Sequence, residues 1–255
     1  MHGHVHAAAQ TGYTREAHAY SRGRPDYPEA LDGWLRGTLQ LSPGKRVADV
    51  GAGTGKFTRL LAATGADVRA VEPVDAMRAE LQGMPGVVAL PGTAQALPMD
   101  TSALDAVACA QAFHWFAQAA ALDEFARVLR LGGRLGLVWN VRDESVDWVR
   151  RITELITPCE GDAPRFHKGD WRKPFPHPAF SPLHEAAFAH AHEGPPSVVI
   201  VDRIMSVSFI ASQPESGRAA VRAALEELIA THPALRGQAM VRFPYRTLAF
   251  HCVRR

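Results

Sequence analysis

Cysteine is scarce in this chain: Cys109, Cys159 and Cys252 are its whole complement over 255 residues. Odd in number and far apart, they form neither a disulfide framework nor a metal-ligand spacing, and they suit a reducing compartment. Charge of one sign is missing too. A formal net charge of +2 at pH 7, from scattered Lys and Arg, lacks the electrostatic footprint of a dedicated nucleic-acid binder. No apolar run reaches the roughly twenty residues that a membrane helix needs. The opening Met1-His2-Gly3-His4-Val5-His6 has no basic region and no apolar core, so it does not read as a secretory signal. His2, His4 and His6 read as a tail, not a metal centre. The expectation is a cytoplasmic protein with no metal site, no nucleic-acid partner and no membrane partner.

What is present is enough apolar material for a core. With 47% hydrophobic residues in 255, the chain suits one α/β domain with elaborations. Its most informative stretch begins at Arg46-Val47-Ala48-Asp49-Val50, a short buried strand. Gly51-Ala52-Gly53-Thr54-Gly55 follows, then a helical pattern with Phe57, Leu60, Leu61 and Thr64 on one face. A second strand, Asp67-Val68-Arg69-Ala70-Val71, ends in Glu72. Strand, glycine turn, helix, strand and terminal acid form the βαβ unit that holds an adenosine-containing cofactor.

The spacing decides between cofactors. A P-loop needs a glycine at position 50 and a hydroxyl at 57, where this chain has Val50 and Phe57. A dinucleotide fingerprint needs a third glycine at position 56, where Lys56 is too large to let the helix pack closely. The pattern here is Gly-x-Gly-x-Gly, preceded by Asp49.

With that pattern the chain resembles the class I S-adenosylmethionine-dependent methyltransferases. Further matches follow in the same order. Glu72-Pro73-Val74-Asp75-Ala76-Met77 resembles the acidic end of the second strand and the helix start beyond it. Gly92-Thr93-Ala94-Gln95-Ala96-Leu97-Pro98 resembles the segment that lies against adenine. Leu104 to Gln111 resembles the fourth strand, and Arg127 to Leu135 the helix-glycine-strand passage into the fifth. Arg24-Pro25-Asp26-Tyr27-Pro28, Phe113-His114-Trp115, Trp139 to Asp143 and Pro244 to Thr247 are similar to a small-molecule subgroup that includes trans-aconitate methyltransferase-like proteins. Substrates vary widely within it.

The fold class expected is α/β, with a doubly wound, mostly parallel, seven-stranded sheet of the Rossmann-like methyltransferase type. Strands are expected near 46–50, 67–71, 86–90, 104–110, 134–140, 184–192 and 242–253. The resemblance implies that the last two form an antiparallel edge hairpin, with the helical stretches 197–211 and 214–231 contributing to a lid. Residues 1–41 are expected as an N-terminal helical cap, 42–143 as the cofactor-binding core and 144–255 as the part completing the sheet. Residues 158–182, rich in Pro, Gly and aromatics, read as irregular.

The resemblance implies S-adenosyl-L-methionine as cofactor. Gly51, Ala52 and Gly53 approach its amino-acid part, Asp49 its ammonium directly or through water, and Glu72 with Pro73 its ribose. Ala94 and Gln95 face the adenine, and Gln111 the methionine portion. A small-molecule acceptor is expected among Tyr20, Arg24, His114, Trp115, Trp139 and Asn140. His114 is the general-base candidate by residue type; a carboxylate acceptor would need only a cationic clamp such as Arg24 or Arg142. An RNA methyltransferase is the first alternative. Ala110-Gln111-Ala112-Phe113 departs from the Asn/Asp-Pro-Pro-Tyr/Phe of amino-modifying nucleic-acid enzymes. A non-catalytic S-adenosylmethionine-binding regulatory protein is the second.

Overall fold

Val47, Ala106, Ala108 and Val138 bury themselves on one side of a central sheet, while their neighbours Ala48, Val107, Cys109, Leu137 and Trp139 bury themselves on the other. Such alternation with both faces covered is what continuous apolar strands produce in a parallel sheet. The structure is a computed structural model and describes residues 24–255.

Helix α1 (Ala30–Gly37) precedes β1 (Arg46–Val50), followed by α2 (Lys56–Ala63), β2 (Asp67–Val71), α3 (Asp75–Ala79) and β3 (Val87–Leu90). β4 (Leu104–Ala110), α4 (Ala119–Val128) and β5 (Leu129–Arg142) complete the parallel part. The seven strands are ordered β3-β2-β1-β4-β5-β7-β6, with β6 (His184–Gly194) and β7 (Val241–Val253) at the far side. β7 runs antiparallel to both neighbours, pairing Asn140 with Thr247 and His190 with Tyr245. Strand order reverses between β1 and β4, and a ligand crevice opens at such a point beyond the strands' carboxyl ends.

Leu31, Trp34 and Leu35 of α1 pack with Phe57 and Leu61 of α2 over one sheet face. Phe113, Leu122 and Phe125 cover the other, joined by Trp171 and Phe180 from the irregular stretch. β5 extends to Arg142, past the expected 140, because β7 pairs with it as far as Tyr245.

A second apolar cluster sits beyond the ends of β5 and β7. It joins α5 (Asp147–Ile156), a π-helical turn (Ser197–Asp202), α6 (Arg203–Met205), α7 (Ser208–Ala211) and α8 (Glu215–Thr231) to Phe243 and Tyr245 of β7. Trp148, Ile152, Ile200, Ile204 and Leu225 are its buried centre. These helices therefore have a core of their own and stand beside the crevice. Cys109 and Cys252 are buried, which pushes both thiols up, Cys252 to about 12.

Candidate active site

The turn after β1 is fixed from below. Gly51 and Ala52 both donate backbone N–H bonds to the Val71 carbonyl, at 2.9 and 3.2 Å. Gly51 has φ +75°, and a Cβ there would stand 2.7 Å from that of Ala112, so a side chain would displace the turn after β4. Gly53, at φ +57°, has open space where its Cβ would be. That empty place above the loop is a cradle for a ligand's closest approach.

Glu72 closes the other side. Its Oε2 accepts from Gly53 N at 2.9 Å and its Oε1 from Val74 N at 3.0 Å, so the carboxylate stitches the two loops together. Burial raises its pKa, opposed by the Val74 and Gly53 amides and by Arg78. Each oxygen keeps lone-pair capacity for a further donor, such as a hydroxyl in the cleft.

A cleft of about 370 Å³ lies above these groups, within the usual size of small-molecule sites. Gly51, Ala52, Gly53, Glu72, Pro73, Ala94, Gln95 and Gln111 all line it, with Met77 and Phe116 among its apolar walls. Asp49 does not. Fully buried below the loop, it accepts from the Thr58 hydroxyl at 2.6 Å. Burial is the main cause that pushes its pKa to about 7, Thr58 lowering it and the Glu72 charge adding to the rise.

Gln111 stands in the left-handed region with φ +56°, rare for a side-chain-bearing residue and costing on the order of 1–3 kcal/mol. Its amide N–H bonds Val138 O at 2.8 Å, which holds the strain in place. The chain turns there into the 3₁₀ turn Phe113–Trp115.

Residues 24–28 cross this edge as a strap. Lys56 Nζ donates to Arg24 O at 2.6 Å and to Asp26 Oδ1 at 2.9 Å, and Tyr27 meets the Phe57 ring edge-on at 5.1 Å. Asn140 completes the clasp, donating to Asp26 O at 2.9 Å while its own oxygen accepts from Thr247 at 2.7 Å. The strap's backbone is thus held by a side chain at the end of β5. Arg24, Pro25 and Tyr27 line the cleft; Tyr20 lies outside the described residues.

A smaller recess of about 100 Å³ adjoins the cleft and shares Arg24, Gln111, Trp115, Asn140 and Arg203 with it. His114 and Trp139 also border it. Trp139 is only 1% exposed and meets the Trp171 ring at a tilt, 4.7 Å between centres, so it is chiefly a core residue showing one edge.

Its Nε1 donates to His114 Nδ1 at 3.1 Å. This hydrogen bond argues against His114 as a general base. With Nδ1 occupied as acceptor, a neutral ring keeps its proton on Nε2 and has no free lone pair for the recess. Burial, then the Arg165 and Arg24 charges, pushes its pKa down to about 3, far below the operating range of a base. His114→Gln should therefore keep turnover within about tenfold of the parent, where loss of a general base costs roughly 10²–10⁴. A larger loss, together with an inflection near pH 6–7 in the parent's pH–rate profile that the variant lacks, would restore the base role.

Sequence reading missed Arg165 and Arg203. Arg165 comes from the irregular stretch and Arg203 opens α6. Nothing local marks either; only the tertiary fold brings them to the recess.

A protein-family model, described as a methyltransferase domain, matches residues 48–137. An uncharacterized methyltransferase of Mycobacterium tuberculosis is 42% identical over 238 residues, covering 92% of this chain and 91% of that protein. The chain belongs to the class I S-adenosylmethionine-dependent methyltransferases. An uncharacterized methyltransferase-like protein of Schizosaccharomyces pombe is 35% identical over 240 residues, covering 91% of each chain. Among solved structures, a proposed type II methyltransferase from Anaeromyxobacter dehalogenans shares the fold, with a TM-score of 0.65 at 24% identity, covering 91% of this chain and 96% of that one. The family match stops at residue 137, so Arg142, Arg165 and Arg203 all lie outside it.

Proposed function

We propose that this methyltransferase acts on a small-molecule acceptor, bound in the recess beside the cofactor cleft. The observation that carries the reading is the continuity of the two hollows, which share Gln111, Trp115 and Asn140 at their junction. In this reading Gly51, Ala52 and Gly53 offer their backbone to the cofactor's amino-acid end, Glu72 and Pro73 hold its ribose, and Ala94 and Gln95 lie against its adenine. Gln111 faces the methionine portion. Asp49, beneath the loop, acts through the loop's position and not by direct contact.

When bound, S-adenosylmethionine supplies an electrophilic methyl carbon and a neutral thioether leaving group. The chain's own task is alignment and exclusion of water. Gln111, fixed by Val138, and Trp115 set the boundary between donor and acceptor, and the strap held by Lys56 and Asn140 roofs it. Alignment of this kind is worth roughly 7–11 kcal/mol. Because His114 has no free lone pair to take a proton, the acceptor atom best suited to this site is one already unprotonated, such as a carboxylate oxygen. A recess of about 100 Å³ under a strap suits a small molecule better than an RNA.

Calorimetry tests the cofactor: S-adenosylhomocysteine should bind at micromolar concentration and NAD should not. Radiolabelled methyl donor offered to pooled metabolites and, separately, to total RNA tests the acceptor. Label entering the metabolite pool supports the reading; label entering only RNA overturns it, and label entering neither favours a non-catalytic binding role.

A further inference from the structure

We propose that the strap closes only over neutral His190 and His192, so that these two β6 histidines are positioning residues that let the cofactor cleft release its ligand in acid. This rests on the methyltransferase reading of that cleft. Arg24, Pro25 and Tyr27 of the strap line the cleft, so exchange of the cofactor is coupled to the strap's lifting. Lys56 holds the strap from α2, and Asn140 holds it from β5. β6 supplies its third side.

His190 and His192 stand two residues apart on β6, opposite Tyr245 and Phe243, and so share one face of the sheet. Glu193, Arg242 and Arg246 alternate to the other face. Asp26 acts on both rings, its carbonyl within reach of His190 and its carboxylate facing the pair. Lys56 and Arg203 face His192 from α2 and α6. The His190 ring lies 6.3 Å from that of Tyr245. The strap's other charge, Arg24, donates to Ser206 O at 3.3 Å. His190 Nε2 and His192 Nδ1 are buried with no hydrogen-bond partner. An apolar side chain would fill either place without the cost of an orphaned nitrogen.

Protonating either ring under the closed strap adds a cation beside Lys56 and Arg203. Asp26 is the one carboxylate acting on the rings among the described residues, and Lys56 already holds it at 2.9 Å. Burial is the first cause that lowers both pKa values from the ordinary 6.5. At His192 the Arg203 and Lys56 charges add to the fall, and Asp26 opposes it at both rings. With the strap lifted, water solvates the rings and they return towards the ordinary value. The closed form therefore binds fewer protons than the open one. Closure is at full strength above about pH 6.5 and weakens as pH falls below it, by up to about tenfold per pH unit for each ring.

Dissociation of S-adenosylhomocysteine, followed by stopped-flow fluorescence through Trp115 in the cleft wall, tests this. The background is the full chain carrying Asp49→Asn, so that the carboxyl near 7 does not contribute. Its dissociation rate should rise by roughly tenfold or more from about pH 7.5 to about 5.5. Adding His190→Gln and His192→Gln together, which keeps polar groups without an ionisation, should hold the change below about twofold. Each single Gln variant should fall between. Histidine NMR of the protein with both rings intact gives a second readout: their titration midpoints should lie lower with S-adenosylhomocysteine bound than without it. A flat profile in the background, an equal slope in the double Gln variant, or midpoints unmoved by the ligand would overturn the proposal. Absence of S-adenosylhomocysteine binding at any pH would overturn the methyltransferase reading instead.

Discussion

Glu72→Ala is expected to weaken S-adenosylhomocysteine binding roughly 10- to 150-fold. A charge-assisted hydrogen bond is worth about 1.5–3 kcal/mol, which converts to that range. The structure adds a reason for the effect to sit at the upper end. Glu72 also accepts from the backbone amides of Gly53 and Val74, so truncation loosens the loops on both sides of the cleft. Glu72→Gln is the sharper variant. Its amide can accept through one oxygen only, and its NH₂ would face a backbone N–H where an acceptor is needed. Both variants should keep their far-ultraviolet circular dichroism, because the sheet's core clusters do not contain this residue. A dissociation constant unchanged in a folded Glu72→Ala protein would place the ribose away from Glu72.

The cofactor half of the site was legible in the sequence because it is local. Within one βαβ unit the glycine turn, the strand end and Glu72 have a fixed relation, so spacing translates directly into geometry. Gly51 illustrates the limit of that reading: its need for a bare backbone comes also from Ala112, across the strand-order reversal. The acceptor half was less legible. His114 looked like a base by residue type, and only the indole of Trp139, on the neighbouring strand, shows which ring nitrogen is occupied. Asn140 stood among the expected acceptor residues by its place at the strand end, and only the fold shows that its side chain is held by the strap and Thr247. Lys56, which excluded a dinucleotide loop in the sequence, emerged as the residue pinning that strap. Arg165, in the irregular stretch, and Arg203, in a helical one, carry no motif, since a lone charge in either reads as solvated until the fold encloses it.

Asp49 makes the second large prediction, and it concerns stability. Its carboxyl titrates near 7 in the folded chain against an ordinary value of 3.8, chiefly because the group is buried. Between those values the unfolded chain has released its proton and the folded chain has not. Stability must therefore fall as pH rises from about 4 to about 7 and level off above that, by on the order of 4 kcal/mol from this residue alone. Asp49→Asn removes the ionisation while keeping an oxygen for the Thr58 hydroxyl. In urea unfolding, Asp49→Asn should be markedly more stable than the parent at pH 8, with the gap closing as pH approaches 4. The same slope in both proteins would mean that the carboxyl stays ionised beneath the loop. Its place there has a functional reading: a cation held above Gly51 favours the ionised form, so binding S-adenosylmethionine should release protons near pH 7 and tighten as pH rises. Calorimetry in buffers of different ionisation enthalpy measures that release, and Asp49→Asn should abolish it.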